Sequence, residues 1–175
     1  MLRPLIAAVA LACAAAPAAA TSFDVIAFPG LRFTAGSAWH LDPERDGVLA
    51  IDVLPCVQVI DMGGELYTTI LAGYGYEGSG DTHLFVAGLD VGWLPDRYLG
   101  TSIGLRGVIG SADGDFGGGM RVVAGLDLWY GVFRLEAAYQ LLGADPGTSH
   151  DVRVSGGVDL LRLIAAPFLA AFDNL

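Results

Sequence analysis

Apolar and polar residues alternate at every second position, segment after segment, from about residue 31 to residue 163. In VFRLEAAYQLL, residues 132–142, Phe133, Leu135, Ala137, Tyr139 and Leu141 share one parity, while Arg134, Glu136, Ala138 and Gln140 share the other. Period two is the side-chain period of a β-strand, because successive Cβ atoms leave opposite faces of the pleat. Turn-rich punctuation divides the chain into eight predicted strands at about 31–41, 48–60, 65–77, 82–94, 98–110, 118–130, 132–142 and 150–163. Most run about eleven to thirteen residues, long for a globular strand and suited to a tilted strand that crosses a bilayer.

The two faces differ sharply in chemistry. One carries Phe33 and Trp39 in the first strand, Phe85, Leu89 and Trp93 in the fourth, Ile103, Leu105 and Ile109 in the fifth, Met120, Val122 and Leu126 in the sixth, and Val154 and Val158 in the eighth. The other carries five arginines, Arg32, Arg106, Arg121, Arg134 and Arg153, and six acids, Asp52, Glu65, Asp90, Asp127, Glu136 and Asp159, among many Gly, Ser and Thr. The second strand is the least regular, with Leu54 and Ile60 on the polar parity and Pro55 on the apolar one. A water-facing strand surface favours Thr, Lys and Glu and few glycines. Mid-strand glycines beside nearly balanced Arg and carboxylate fit a narrow closed lumen, where small residues make room and opposite charges neutralise each other. These eleven residues are the predicted lumen charge network, and the apolar face becomes a lipid-facing wall.

Composition narrows the class. The chain has 175 residues, 54% hydrophobic and 16% charged, with 25 glycines, which is too apolar for an ordinary soluble domain and far from a disordered one. Its formal net charge of −10 argues against nucleic acid as a partner. Residues 1–20, MLRPLIAAVALACAAAPAAA, read as a secretory signal peptide, with Arg3 as the positive region, Leu5 to Ala12 as the apolar core and Ala18-Ala19-Ala20 as the cleavage site. Cleavage there removes Cys13 and leaves Cys56 without a disulfide partner. The longest later apolar run, Leu163 to Phe172, is broken by Pro167 and is half the length of a spanning helix.

Connections and aromatic residues point the same way. The longer acidic or Gly-rich links DPERDG, GSGD, SADGDFG and GADPGTS alternate with shorter turns, the asymmetry of outer-membrane barrels with periplasmic termini. Trp39, Tyr74, Tyr76, Phe85 and Tyr139 fall near the outer ends of strands and Trp93, Tyr130 and Phe133 near the inner ends, as interfacial belts require. The pattern over residues 31–163 resembles the small eight-stranded outer-membrane β-barrels of the OmpA transmembrane-domain and OmpX type. That resemblance implies an all-β, closed antiparallel up-and-down transmembrane barrel in the bacterial outer membrane, its lumen filled by side chains. It departs from those barrels after residue 163, where IAAPFLAAFDNL replaces a terminal strand ending in an aromatic residue. The expected layout is a signal peptide (1–20), an N-terminal periplasmic segment (21–30), the barrel (31–163) and a tail (164–175). The tail is either a small helix with Pro167 near its start or part of a larger barrel, in which FDVIAF (23–28) helps make ten strands.

Candidate chemistry is sparse. Thr148-Ser149-His150-Asp151 invites a nucleophile–base reading, and thus a lipid A-modifying enzyme, but adjacent strand residues face opposite sides. Ser79, Asp81 and His83 form no better arrangement. Acidic turns containing Asp42, Glu44, Asp46, Asp113 and Asp115 offer oxygen ligands for divalent cations without completing a known loop. No catalytic residue, metal ligand or cofactor is predicted. The expected role is structural, in envelope integrity or surface contact, without an open diffusion pore, and the expected partners are outer-membrane lipids, lipopolysaccharide and the barrel-assembly machinery. A soluble periplasmic ligand-binding barrel is the inverted alternative, with Arg106, Arg121 and Arg134 exposed.

Overall fold

Every stretch of two-residue alternation forms a strand, and the strands follow one another around a single wall. A computed structural model describes residues 25–41, 47–61, 65–78, 82–95, 98–112, 115–129, 131–144 and 147–172. The predicted signal peptide and Cys13 lie outside these residues, as do Tyr130 and residues 42–46. The strands are β1 (Val25–His40), β2 (Val48–Asp61), β3 (Leu66–Glu77), β4 (Thr82–Trp93), β5 (Leu99–Ala112), β6 (Asp115–Leu128), β7 (Phe133–Ala144) and β8 (Gly147–Asp159), followed by helix α1 (Leu160–Phe172). Each strand pairs antiparallel with its neighbour in sequence, and β8 pairs with β1 to close an eight-stranded barrel.

The register sets the tilt. Paired residues lead from Ile26 through Ile60, Tyr67, Gly92, Ser102, Gly125, Glu136 and Ser155 back to β1 at Gly36, ten positions further on. With ordinary strand rise and spacing, that stagger inclines the strands by about 40°. At this tilt the eight residue steps from Phe85 to Trp93, both outward-facing, rise about 20 Å, close to the apolar band of an outer-membrane barrel.

Three boundaries differ from the sequence expectation. β1 begins at Val25, so residues 25–30 of the predicted N-terminal segment belong to the first strand and supply no ninth or tenth. Pro29 is tolerated there because Leu31, of the same parity, points its N–H toward β8, where Asp159 accepts it at 3.2 Å. Pairing between β1 and β8 stops at Arg32–Asp159, so the N–H that Pro29 lacks would face a strand-free edge. On the other side of β1, Pro55 interrupts pairing to β3 between Val53–Tyr74 and Cys56–Leu71.

The second difference concerns the long links. β5 and β6 pair out to Ala112–Asp115 and β7 and β8 to Ala144–Gly147, so most of SADGDFG and GADPGTS is strand. Antiparallel pairing runs on through Gly110–Gly117 and Gly118–Gly143, which turns the expected loop asymmetry into projecting strand ends. The third is the C-terminal boundary. β8 stops at Asp159 because its carboxylate accepts the backbone N–H of Arg162 at 3.2 Å, the geometry of an N-cap, and the chain turns into α1. Pro167 lies inside this helix, not near its start. No described helix is long and apolar enough to cross a membrane.

Candidate functional site

Because strand parity is uniform around the wall, all the predicted lumen residues except Glu65 enter one interior. Arg32, Asp52, Asp90, Arg106, Arg121, Asp127, Arg134, Glu136, Arg153 and Asp159 are all buried, and Arg106 and Asp90 have no exposed surface. The outward parity exposes Phe33, Leu66, Ile70, Leu89, Ile103, Leu105, Met120, Val122 and Leu135. A barrel with inverted faces would expose Arg106, Arg121 and Arg134, which are 0%, 1% and 3% exposed, so the soluble ligand-binding alternative does not match this architecture.

The inner half of the lumen is organised around Arg106 on β5. Its guanidinium donates to Asp90 from Nε at 3.2 Å and Nη2 at 2.9 Å, and to Glu136 from Nη1 at 3.1 Å and Nη2 at 2.8 Å. Arg134 donates to both oxygens of Asp127 at 2.9 and 2.8 Å, to Glu136 at 2.6 Å and to Asp90 at 3.1 Å. Arg32 donates to Asp90 at 3.0 Å, and the Tyr67 hydroxyl donates to Asp127. Three guanidiniums thus face three carboxylates in forked, charge-assisted geometry, the arrangement that offsets the desolvation of buried ions.

A second cluster fills the outer half. Arg121 donates to Asp52 at 2.9 Å and to Gln140 at 2.8 Å. Arg153 donates to Asp52 at 3.3 Å and approaches Glu77 at 3.3 Å, while Gln140 donates to Glu77 at 3.2 Å and to Asp151 at 3.4 Å. The His40 ring pairs with Asp151 at the outer end. Beside this cluster lies an apolar filling of Leu54, Cys56, Leu71, Leu84, Val86 and Val108, with Leu142 against it. Leu54 keeps its inward parity by joining this filling, and Cys56 is a buried free thiol in the same group.

Glu65 is the predicted network member that the fold places elsewhere. It precedes β3, is exposed, and its carboxylate accepts the indole N–H of Trp93 on the outer face. Tyr67, Glu77, Gln140, Asp151 and His40 are network members beyond the predicted set. All five lie on inward parity within the predicted strands, so the alternation itself carries the signal that finds them. Arg162 is a further one, contributed by α1. It donates to Gln58, lies 3.5 Å from Asp159, and its guanidinium is pushed below its ordinary value by burial, with Asp159 opposing.

Glycines on the inward parity provide the space for these groups. A Cβ added at Gly104 would collide with the Asp90 carboxylate, whereas one at Gly107, on the outward parity of the same strand, would meet only Ala87 O at 3.7 Å. Gly104→Ala is therefore expected to lose about 1–3 kcal/mol by displacing a fully engaged carboxylate, while Gly107→Ala stays near neutral. Urea unfolding of the two variants in lipid vesicles makes the comparison.

The histidines do not assemble a catalytic centre. His150 faces outward and shares a hydrogen bond with the Tyr139 hydroxyl at 2.5 Å, and His83 does the same with Tyr74 at 2.5 Å. Ser149 lies on the opposite parity from His150, so the two do not form a nucleophile–base pair. Among the described residues, no group of three or more His, Cys, Asp or Glu side chains is placed to hold a metal ion. Asp42, Glu44, Asp46, Asp113, Ser79 and Asp81 lie outside the described residues.

At the short-turn end, Trp129 and Phe133 stack at 6.0 Å across a tight turn closed by the Val132 N–H to Trp129 O at 3.0 Å. Trp129 and Gly131 take positive φ values of 48° and 71° there. Trp93, Tyr98, Trp129 and Phe133 are exposed at this rim, and Trp39, Tyr74, Phe85 and Tyr139 are exposed toward the other.

No protein-family model matches the sequence, and no curated protein matches it. Among solved structures, the crystal structure of Neisserial surface protein A aligns with a TM-score of 0.50 at 12% sequence identity, covering 77% of this chain and 97% of that one. The likeness lies in the fold, and this chain has the fold of the small eight-stranded outer-membrane barrels.

Proposed function

We propose that this chain is a bacterial outer-membrane protein, exported behind a cleaved signal peptide, with a structural, envelope-integrity or surface-contact role and no solute conduction. The observation that carries this reading is the division of its surface chemistry. Charged groups are neutralised inside the lumen, and large apolar side chains cover the outside. Water would leave the outer wall as a continuous apolar patch far larger than soluble proteins expose, while hydrocarbon matches it. The aromatic residues at both rims support placement across a bilayer.

A filled lumen argues against a pore, since eight strands enclose only enough space for side chains. On this reading the chain carries no catalytic chemistry or cofactor, and its partners are outer-membrane lipids, lipopolysaccharide and the barrel-assembly machinery. Refolded into vesicles, the protein is expected to show a β circular-dichroism spectrum and heat-modifiable gel mobility. In planar bilayers it is expected to give no unitary conductance steps. A mainly helical spectrum would end the barrel reading, and steady ion channels would end the closed-lumen reading.

A further inference from the structure

α1 is the one described element whose surface the barrel does not explain. Its thirteen residues span about 20 Å, too short for a bilayer core of about 30 Å. Arg162 holds it to the lumen mouth through Asp159 and Gln58, and Ala166, one turn later, is fully buried. Those two positions fix which side of the helix meets the barrel. Leu160, Leu161, Leu163 and Ile164 are left exposed, Ile164 at 69%. Between Arg162 and Asp173 the sequence has no charged residue.

This apolar surface starts beside the exposed aromatic rim of the barrel. α1 leaves β8 directly after Asp159, whose N–H donates to Val132 O at 2.8 Å, and so begins beside the turn carrying the exposed Trp129–Phe133 stack. We propose that α1 is a membrane-interface helix, its Leu160–Ile164 surface seated in the lipid leaflet at the short-turn end of the barrel, with Arg162 fastening it to the lumen mouth. The inference rests on the reading of the barrel as membrane-spanning. Interfacial helices bind through buried apolar area, through attraction of cations to anionic lipids, or through both. Here the one cation between Leu160 and Phe172 is engaged with the barrel, so apolar area supplies the attraction and a zwitterionic bilayer suffices.

Spin labels test this in residues 21–175, the chain left by signal-peptide cleavage, with Cys56→Ser, refolded into phosphatidylcholine vesicles, with folding checked by heat-modifiable mobility. A label on Ile164→Cys is compared with one on the outward mid-barrel position, Leu105→Cys, and one in the exposed turn, Gly78→Cys. The ratio of collisions with oxygen to collisions with a water-soluble nickel chelate at Ile164 is expected to lie severalfold above that at Gly78 and below that at Leu105, as an interfacial depth requires. An Ile164 ratio like that of Gly78, with Leu105 still lipid-exposed, overturns the helix proposal alone. A Leu105 label open to the nickel chelate overturns the membrane reading beneath it. An Ile164 label shielded from both reagents means that protein, such as a second copy of the chain, covers α1, and overturns the proposal too.

Discussion

Arg106→Met is expected to destabilise the barrel by about 3–5 kcal/mol, because it leaves an excess carboxylate charge inside a closed lumen. Arg106 donates four hydrogen bonds to Asp90 and Glu136, and neither it nor Asp90 has exposed surface. Without it, Arg32 and Arg134 face Asp90, Asp127 and Glu136, two cations against three anions. Adding Glu136→Gln restores the balance, and the double variant is expected to regain a large part of the loss. Replacement of buried ion pairs by uncharged groups of similar shape is often neutral or stabilising. Urea unfolding in vesicles, followed by tryptophan fluorescence, measures both. A single variant within about 1 kcal/mol of the parent would mean that the forked contacts contribute little beyond filling space.

The inward face was legible in the sequence because its chemistry recurs at one parity. Arg32, Asp90, Arg106, Arg134 and Glu136 are separated by up to 104 positions yet meet in one cluster, and alternation alone predicts that each enters the lumen. Which of them touch was not legible, since contact depends on the ten-residue stagger, a property of pairing around the whole wall. Glu77, Gln140, Asp151 and His40 belong to the outer cluster for that reason. Near strand ends, parity competes with turn chemistry, and the same competition places Glu65 outside the lumen. Leu71, Leu84, Val86 and Val108 point inward although apolar, because the outer half of the lumen is filled partly by hydrocarbon.

Strand limits were less legible than strand faces. Glycine-rich links read as loops, yet antiparallel pairing continues through them. Leu160 to Leu163 read as the end of the eighth strand, yet they form the first turn of α1. The difference lies in the Asp159 carboxylate, which caps the backbone of Arg162. Pro167 suggested a helix start by its residue type, but the helix already has its N-cap eight residues earlier.

Leu105→Arg is expected to have the second large effect. Leu105 faces outward at mid-strand, paired with Leu89 on one side and Val122 on the other, and is 54% exposed. Arginine at the midplane of an outer-membrane barrel's lipid face costs about 2–4 kcal/mol, falling to about 0–1 near the interface. Ser111 has the same parity on the same strand, one residue before its outer end, so Ser111→Arg is the depth control. The pair separates hydrocarbon from water as the solvent of the outer wall, since arginine on a water-facing strand is benign at either depth.

That comparison tests the membrane-facing wall most directly: unfolding free energies of Leu105→Arg and Ser111→Arg, measured side by side in vesicles. A bilayer-spanning barrel predicts a loss of about 2–4 kcal/mol at Leu105 and no more than about 1 kcal/mol at Ser111. Equal, small effects at both positions would contradict a lipid-facing wall.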